Sequence, residues 1–173
     1  MKIFITDLAA YNKGALIGQW VDLPCDDLQE QIDDVLEKGT EWSRAEGSLA
    51  DGEEHEEHFV TDYDCEFDSI GEYDDVFELN AQAEQFEQLD DHDRKKLRYL
   101  IDDGDTFEQA MEHLEDCDLY EDMTMRELAE EFVDEGLFGE IPARLQYYID
   151  YDAIARDLQM DYTEHEGDIY RRN

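Results

Sequence analysis

The chain has 173 residues and carries 51 Asp and Glu against 13 Lys and Arg, a formal charge of -38. Its length suits one domain or two to three small ones. A hydrophobic share of 41% and an aromatic share of 12% supply a core that a disordered acidic tail would lack. The three cysteines, Cys25, Cys65 and Cys117, form no CxxC pair, which argues against a zinc ribbon or a disulfide framework and suits reduced thiols. No segment reads as a signal peptide or approaches membrane-spanning length, so a cytoplasmic protein with no membrane partner is expected.

Charge placement is uneven. Residues 1–50 carry 10 acids against 4 bases, 51–100 carry 18 against 4, and 101–173 carry 23 against 5. No Lys or Arg lies between Arg44 and Arg94, and none from Tyr99 to Met125. Ordinary soluble surfaces intersperse the signs. Either a salt-rich habitat or a surface required to be negative gives such totals, and composition alone does not separate the two.

In chain order, Ile3–Ala10 and Leu16–Leu23 read as two strands joined by a turn at Tyr11-Asn12-Lys13-Gly14. Asp26 or Asp27 is expected to cap a helix reaching about Lys38, with Leu28, Ile32, Val35 and Leu36 on one face and Gly39 past its end. Residues 47–57 read as a loop. In FVTDYDCEFD, period-2 alternation places Phe59, Thr61, Tyr63, Cys65 and Phe67 inward. Asp62, Asp64, Glu66 and Asp68 form an outward carboxylate row. Helices are expected over about 75–89, with Val76, Leu79, Ala83 and Phe86 inward, and over 91–102, which carries the basic run Arg94-Lys95-Lys96.

The last third reads as helices. Thr106 with Gln109 and Thr124 with Glu127 are capping-box pairs. Pro142 suits the first turn of a further helix, and 150–160 is expected to be helical, ahead of a short polar tail. The fold class is α+β in three small units, 1–60, 61–103 and 104–173, the last mostly helical.

The carboxylates match a nucleic-acid spacing. Alternate strand residues lie about 6.6–6.8 Å apart, and helical i,i+3 and i,i+4 side chains start about 5–6 Å apart. Successive phosphates of a DNA strand lie about 7 Å apart. Glu127, Glu130, Glu131 and Asp134 form one helical stripe; Glu108, Glu112, Glu115 and Asp116 form another. Like charges at i,i+4 destabilise a helix by about 0.2–0.5 kcal/mol per pair, a cost that function explains. The central segment extends the candidate partner-facing set through Glu72, Asp74, Asp75, Glu78, Glu84 and Glu87.

Other chemistry is poorly supported. His55 and His58 form an HxxH in a loop without a specified third ligand, so no metal site is assigned. Counting from Asp62, a calcium loop would need Gly at Phe67 and Glu at Tyr73. GxSxG, P-loop and GxGxxG motifs are absent. The charge disfavours direct nucleic-acid binding, and the run Arg94–Arg98 is expected to make internal ion pairs. No catalysis and no cofactor are expected.

Residues at both ends and in the middle resemble the ArdA antirestriction proteins. In AYNKGALIGQWVDL these are Tyr11, Asn12, Gly14, Gly18, Trp20, Asp22 and Leu23; in the middle, Asp62-Tyr63-Asp64. In EIPARLQYYIDYDAIARDLQMDYTEH they are Ile141, Pro142, Leu145, Tyr148, Asp150, Tyr151, Ala153, Arg156, Asp157, Leu158, Asp161 and Tyr162. Ile149 stands where the family usually has Phe, and FITDL differs from its common first strand.

The resemblance implies an elongated chain of three α/β units that dimerises and mimics bent DNA. It implies occupancy of type I restriction-modification enzymes, at their specificity and methyltransferase subunits, blocking restriction and modification. It also implies carriage on a mobile genetic element that protects DNA entering by conjugation. The stretch 137–150 resembles the family's antirestriction motif, and its Leu137, Phe138, Ile141, Leu145 and Tyr148 are read as core or dimer contacts. The alternative is an acidic adaptor or chaperone for basic proteins, or a housekeeping domain of a salt-loving organism.

Overall fold

A computed structural model describes residues 1–50 and 52–173. The chain is mixed α+β, with seven α-helices and two three-stranded antiparallel sheets among the described residues. It divides into two compact units, Met1–Asp90 and Asp91–Asn173.

In the first unit, β1 (Lys2–Asp7) lies between β2 (Gly18–Asp22) and β3 (His58–Asp64). The sheet buries Ile3, Ile5, Val21 and Val60 against Leu28 and Ile32 of α2 (Leu28–Ala45) and Val76, Leu79 and Ala83 of α3 (Val76–Gln88). The first strand is shorter than the apolar run suggested. Asp7 turns the chain by capping α1 (Leu8–Asn12), its Oδ1 accepting from the Ala10 N–H at 2.6 Å.

Gly39 does not end α2. The helix runs on to Ala45, and Gly47, at φ 69°, provides the left-handed turn beyond it. Gly39 instead leaves room for Asp7, because a Cβ there would sit inside the Asp7 carboxylate. Asp27 occupies the N-cap position without a side-chain cap bond; its carboxylate receives Cys25 Sγ and Gln31 Nε2.

In the second unit, α4 (Asp91–Asp102), α5 (Phe107–His113), α6 (Met125–Asp134) and α7 (Tyr151–Leu158) accompany a sheet ordered β4 (Cys117–Tyr120), β6 (Asp168–Arg172), β5 (Thr163–His165). Both capping boxes form, at Thr106–Gln109 and Thr124–Glu127. Met125, Leu128, Ala129 and Phe132 of α6 pack with Ala155, Tyr162 and Ile169. The polar tail is therefore a hairpin, whose β6 is the central strand. Its turn uses Glu166 and Gly167, both at positive φ, a less familiar pair than Asn-Gly. Pro142 starts no helix; its carbonyl accepts from Leu145 N–H at 2.7 Å in an isolated turn, ahead of a short 3-10 turn at Gln146–Tyr148.

Candidate functional site

The carboxylate row on β3 is real over half its length. Asp62 and Asp64 pair across from Phe4 and Lys2 and are exposed, but the strand ends at Asp64. Glu66 and Asp68 lie in the loop beyond, Glu66 exposed and Asp68 half-buried. The inward set departs more. Phe59 and Phe67 are buried and Cys65 is half-buried, whereas Tyr63 is exposed. The register shifts between Phe4 and Ile5, opposite Asp62 and Val60. Such a bulge adds one residue, here Thr61, and resets alternation, so Phe59 and Tyr63 no longer share a face. Phe59 and Val60 stay in regular register and are buried on opposite faces, Val60 in the core and Phe59 against Tyr11 and Tyr73.

Glu72, Asp74, Asp75, Glu78, Glu84 and Glu87 are exposed. Two of them also hold backbone: Asp74 accepts from the Gly71 N–H at 2.7 Å, and Asp75 caps α3 through the Phe77 and Glu78 N–H groups. Asp62 and Asp68 likewise accept from the next residue's N–H. A carboxylate oriented by a backbone donor presents its remaining lone pairs in a fixed direction.

In the second unit the stripes are less uniform than their spacing suggested. Helix α5 stops at His113, so only Glu108 and Glu112 lie on it. Glu115 and Asp116 follow in a 3-10 turn, though all four are exposed. On α6, Glu127 closes the capping box, accepting from Thr124 N–H at 2.8 Å and Thr124 Oγ1 at 2.7 Å. These bonds hold its carboxyl below the usual range. Glu130 is paired with Arg126 at 3.0 Å, and the same guanidinium meets Asp152 at 2.6 Å. Glu130 and Glu131 are half-buried and Asp134 is exposed. Arg126 thus supplies Glu130 with an i,i+4 cation, where the stripe's spacing had suggested only like-charged neighbours.

Lys95 and Lys96 of the basic run make ion pairs within the second unit. Lys95 Nζ reaches Glu121 at 2.9 Å and Asp168 at 2.8 Å, and Lys96 lies 3.7 Å from Asp93. Burial pushes the Asp168 carboxyl up, but Lys95 and the Asp122 N–H outweigh it and hold it below its ordinary value. Asp105 behaves alike: burial raises it, while His113 and Arg172 lower it further.

His55 is occupied elsewhere. Its Nδ1 lies 2.7 Å from Asp7 Oδ2 with both side chains buried, and its N–H donates to Thr40 Oγ1 at 2.9 Å. Sequence reading missed this knot of Asp7, Gly39, Thr40 and His55, because its members are separated by up to 48 residues. Among the described residues, no group of three or more His, Cys, Asp or Glu could hold a metal ion. No described helix is long and apolar enough to cross a membrane.

The stretch from Leu137 to Tyr148 presents a different surface. Leu137, Phe138, Leu145 and Tyr148 are exposed, Tyr148 to 83%, and Ile141 is half-buried. None of the five belongs to the buried core.

A family profile described as antirestriction protein (ArdA) matches residues 3–169. The chain belongs to the ArdA antirestriction family. No individual curated protein matches it. Of the eighteen carboxylates singled out from sequence, only Asp68, Glu130 and Glu131 are not fully exposed.

Proposed function

We propose that this ArdA protein inhibits type I restriction-modification enzymes as a DNA mimic, occupying the groove of the specificity and methyltransferase subunits. The observation that carries the reading is the outward carboxylate set in a chain of charge -38. A groove that neutralises phosphates with Lys and Arg is satisfied by carboxylates at phosphate pitch, with no base edges offered. Recognition by charge and spacing is indifferent to DNA sequence, so both restriction and modification are blocked. No chemical step and no cofactor enter.

The family's elongated arrangement of three α/β units and its dimerisation are part of the proposal. An exposed apolar stretch such as Leu137, Phe138, Leu145 and Tyr148 marks a protein-binding surface, and a second copy of the chain is the occupant proposed. Carriage on a mobile element and action in the recipient cytoplasm complete the reading.

The test is a plasmid-restriction assay in cells carrying a type I system. Expression of the protein is expected to restore transformation by unmodified plasmid. Undiminished restriction at verified expression contradicts the proposal, and capture of histone-like proteins instead favours the acidic-adaptor alternative.

A further inference from the structure

One surface of the first unit departs from a plain acidic face. Phe59 of β3 pairs across from Thr6, and its ring is covered by two tyrosines. Tyr73 stacks on it with centroids 6.0 Å apart and planes at 22°, and Tyr11 meets it edge-on at 5.1 Å. The Val60 N–H donates to the Glu72 carbonyl at 2.9 Å, which pins the segment carrying Tyr73 alongside β3. Between this segment and the start of α3 lies a cleft of about 320 Å³ lined by His58, Phe59, Glu72, Tyr73, Asp74 and Phe77, among others. Tyr73 is 75% exposed and Phe77 is also exposed, so aromatic faces remain open to a ligand.

The electrostatics select the ligand. Glu72, Asp74 and Asp75 line the cleft, and no Lys or Arg occurs between Arg44 and Arg94. His58 adds little positive charge near pH 7, since burial holds its pKa below the usual value against the opposing pull of Asp75. Aromatic platforms that stack nucleobases sit in positively charged grooves that hold the attached phosphates. Here the field is reversed, and a nucleotide would be repelled. A cation with a flat face suits the cleft: guanidinium is weakly hydrated, stacks on aromatic rings and bonds carboxylates in a fork, whereas ammonium is a hydrated point charge.

We infer that this cleft receives an arginine side chain from the DNA-binding groove of the inhibited enzyme, stacked on Tyr73 and bonded by Glu72 and Asp74. The inference rests on the proposed inhibitor function and adds a local anchor to an otherwise distributed charge match. Aromatic–arginine contacts are the type that concentrates binding energy at protein interfaces.

The test is an NMR titration of the full-length protein with N-acetyl-arginine methylamide and, in parallel, its lysine counterpart. A saturable shift centred on His58, Tyr73 and Phe77 is expected with the arginine probe, and a response at least about threefold weaker with lysine. Tyr73→Leu keeps apolar cover over Phe59 and is expected to abolish the arginine response; Tyr73→Phe is expected to retain it. Direct binding to a type I enzyme is expected to weaken about tenfold in Tyr73→Leu and under about threefold in Glu130→Gln. Non-saturating shifts spread over the acidic surface, or unchanged enzyme binding by Tyr73→Leu, overturn the anchor while leaving the inhibitor reading intact. If wild-type protein binds no restriction enzyme, the inhibitor reading fails, and the anchor loses its partner whatever the titration shows.

Discussion

Replacing Gly39 with alanine sets two effects of opposite sign against each other. Gly39 lies inside α2, where alanine normally gains about 1 kcal/mol through helix propensity. The added Cβ, however, would overlap the buried Asp7 carboxylate, which is 0% exposed and cannot swing into solvent. Overpacking costs about 1–3 kcal/mol. Displacing Asp7 also weakens its bonds to the Ala10 N–H and His55, each of a charge-assisted kind worth about 1.5–3 kcal/mol. The clash therefore wins, and Gly39→Ala is expected to destabilise the first unit by about 2–4 kcal/mol. Both tryptophans, Trp20 and Trp42, lie in that unit, so urea unfolding followed by their fluorescence reads it selectively. In an Asp7→Ser background the penalty is expected to shrink to near zero. A neutral or stabilising Gly39→Ala, or an equal penalty in both backgrounds, refutes the packing argument.

Further expectations concern charge. Asp168 is held below its ordinary pKa mainly by Lys95 against the effect of burial, so their pair stabilises fully above about pH 4. That contribution is lost as pH falls through the lower folded value. Since Lys95 is about a third exposed, Asp168→Asn is expected to cost only about 1–2 kcal/mol at pH 7. The difference should shrink as pH falls below that folded value, read by amide exchange around Tyr170; a constant difference contradicts the assignment. Neutralising one carboxylate of the set, as in Glu130→Gln, is expected to weaken enzyme binding by under about 1 kcal/mol, and complete loss of inhibition would sink the distributed match. The free protein's melting temperature is expected to rise between about 50 and 500 mM salt, because screening over about 10 Å at 0.1 M relieves self-repulsion; a falling temperature contradicts this.

Local chemistry was legible in the sequence where it acts over a few residues. The boxes at Thr106 and Thr124 and the core stripe Val76, Leu79, Ala83 and Phe86 are all present. Outward acidity was legible too, because so many carboxylates cannot be buried unpaired. Features depending on distant partners were hidden. Gly39 has the composition of a helix stop, and only the approach of Asp7 shows why glycine is needed in mid-helix. The bulge in β3 left no local mark, yet it broke the alternation that placed Phe59 and Tyr63 on one face, while the end of the strand at Asp64 cut the carboxylate row short. The final hairpin was obscured because Ile169 and Tyr170 are its only consecutive buried apolar pair, set between Asp168 and Arg171.

The most direct test of DNA mimicry is competition at equilibrium. Purified type I enzyme is held with labelled duplex carrying its target sequence, and then with unrelated duplex, while the inhibitor is titrated in. Direct inhibitor binding is measured at several salt concentrations alongside. The account predicts complete, mutually exclusive displacement of both duplexes, with inhibitor affinity falling steeply as salt rises from about 50 to 500 mM. A ternary complex of enzyme, DNA and inhibitor, or an affinity flat across that range, would contradict it.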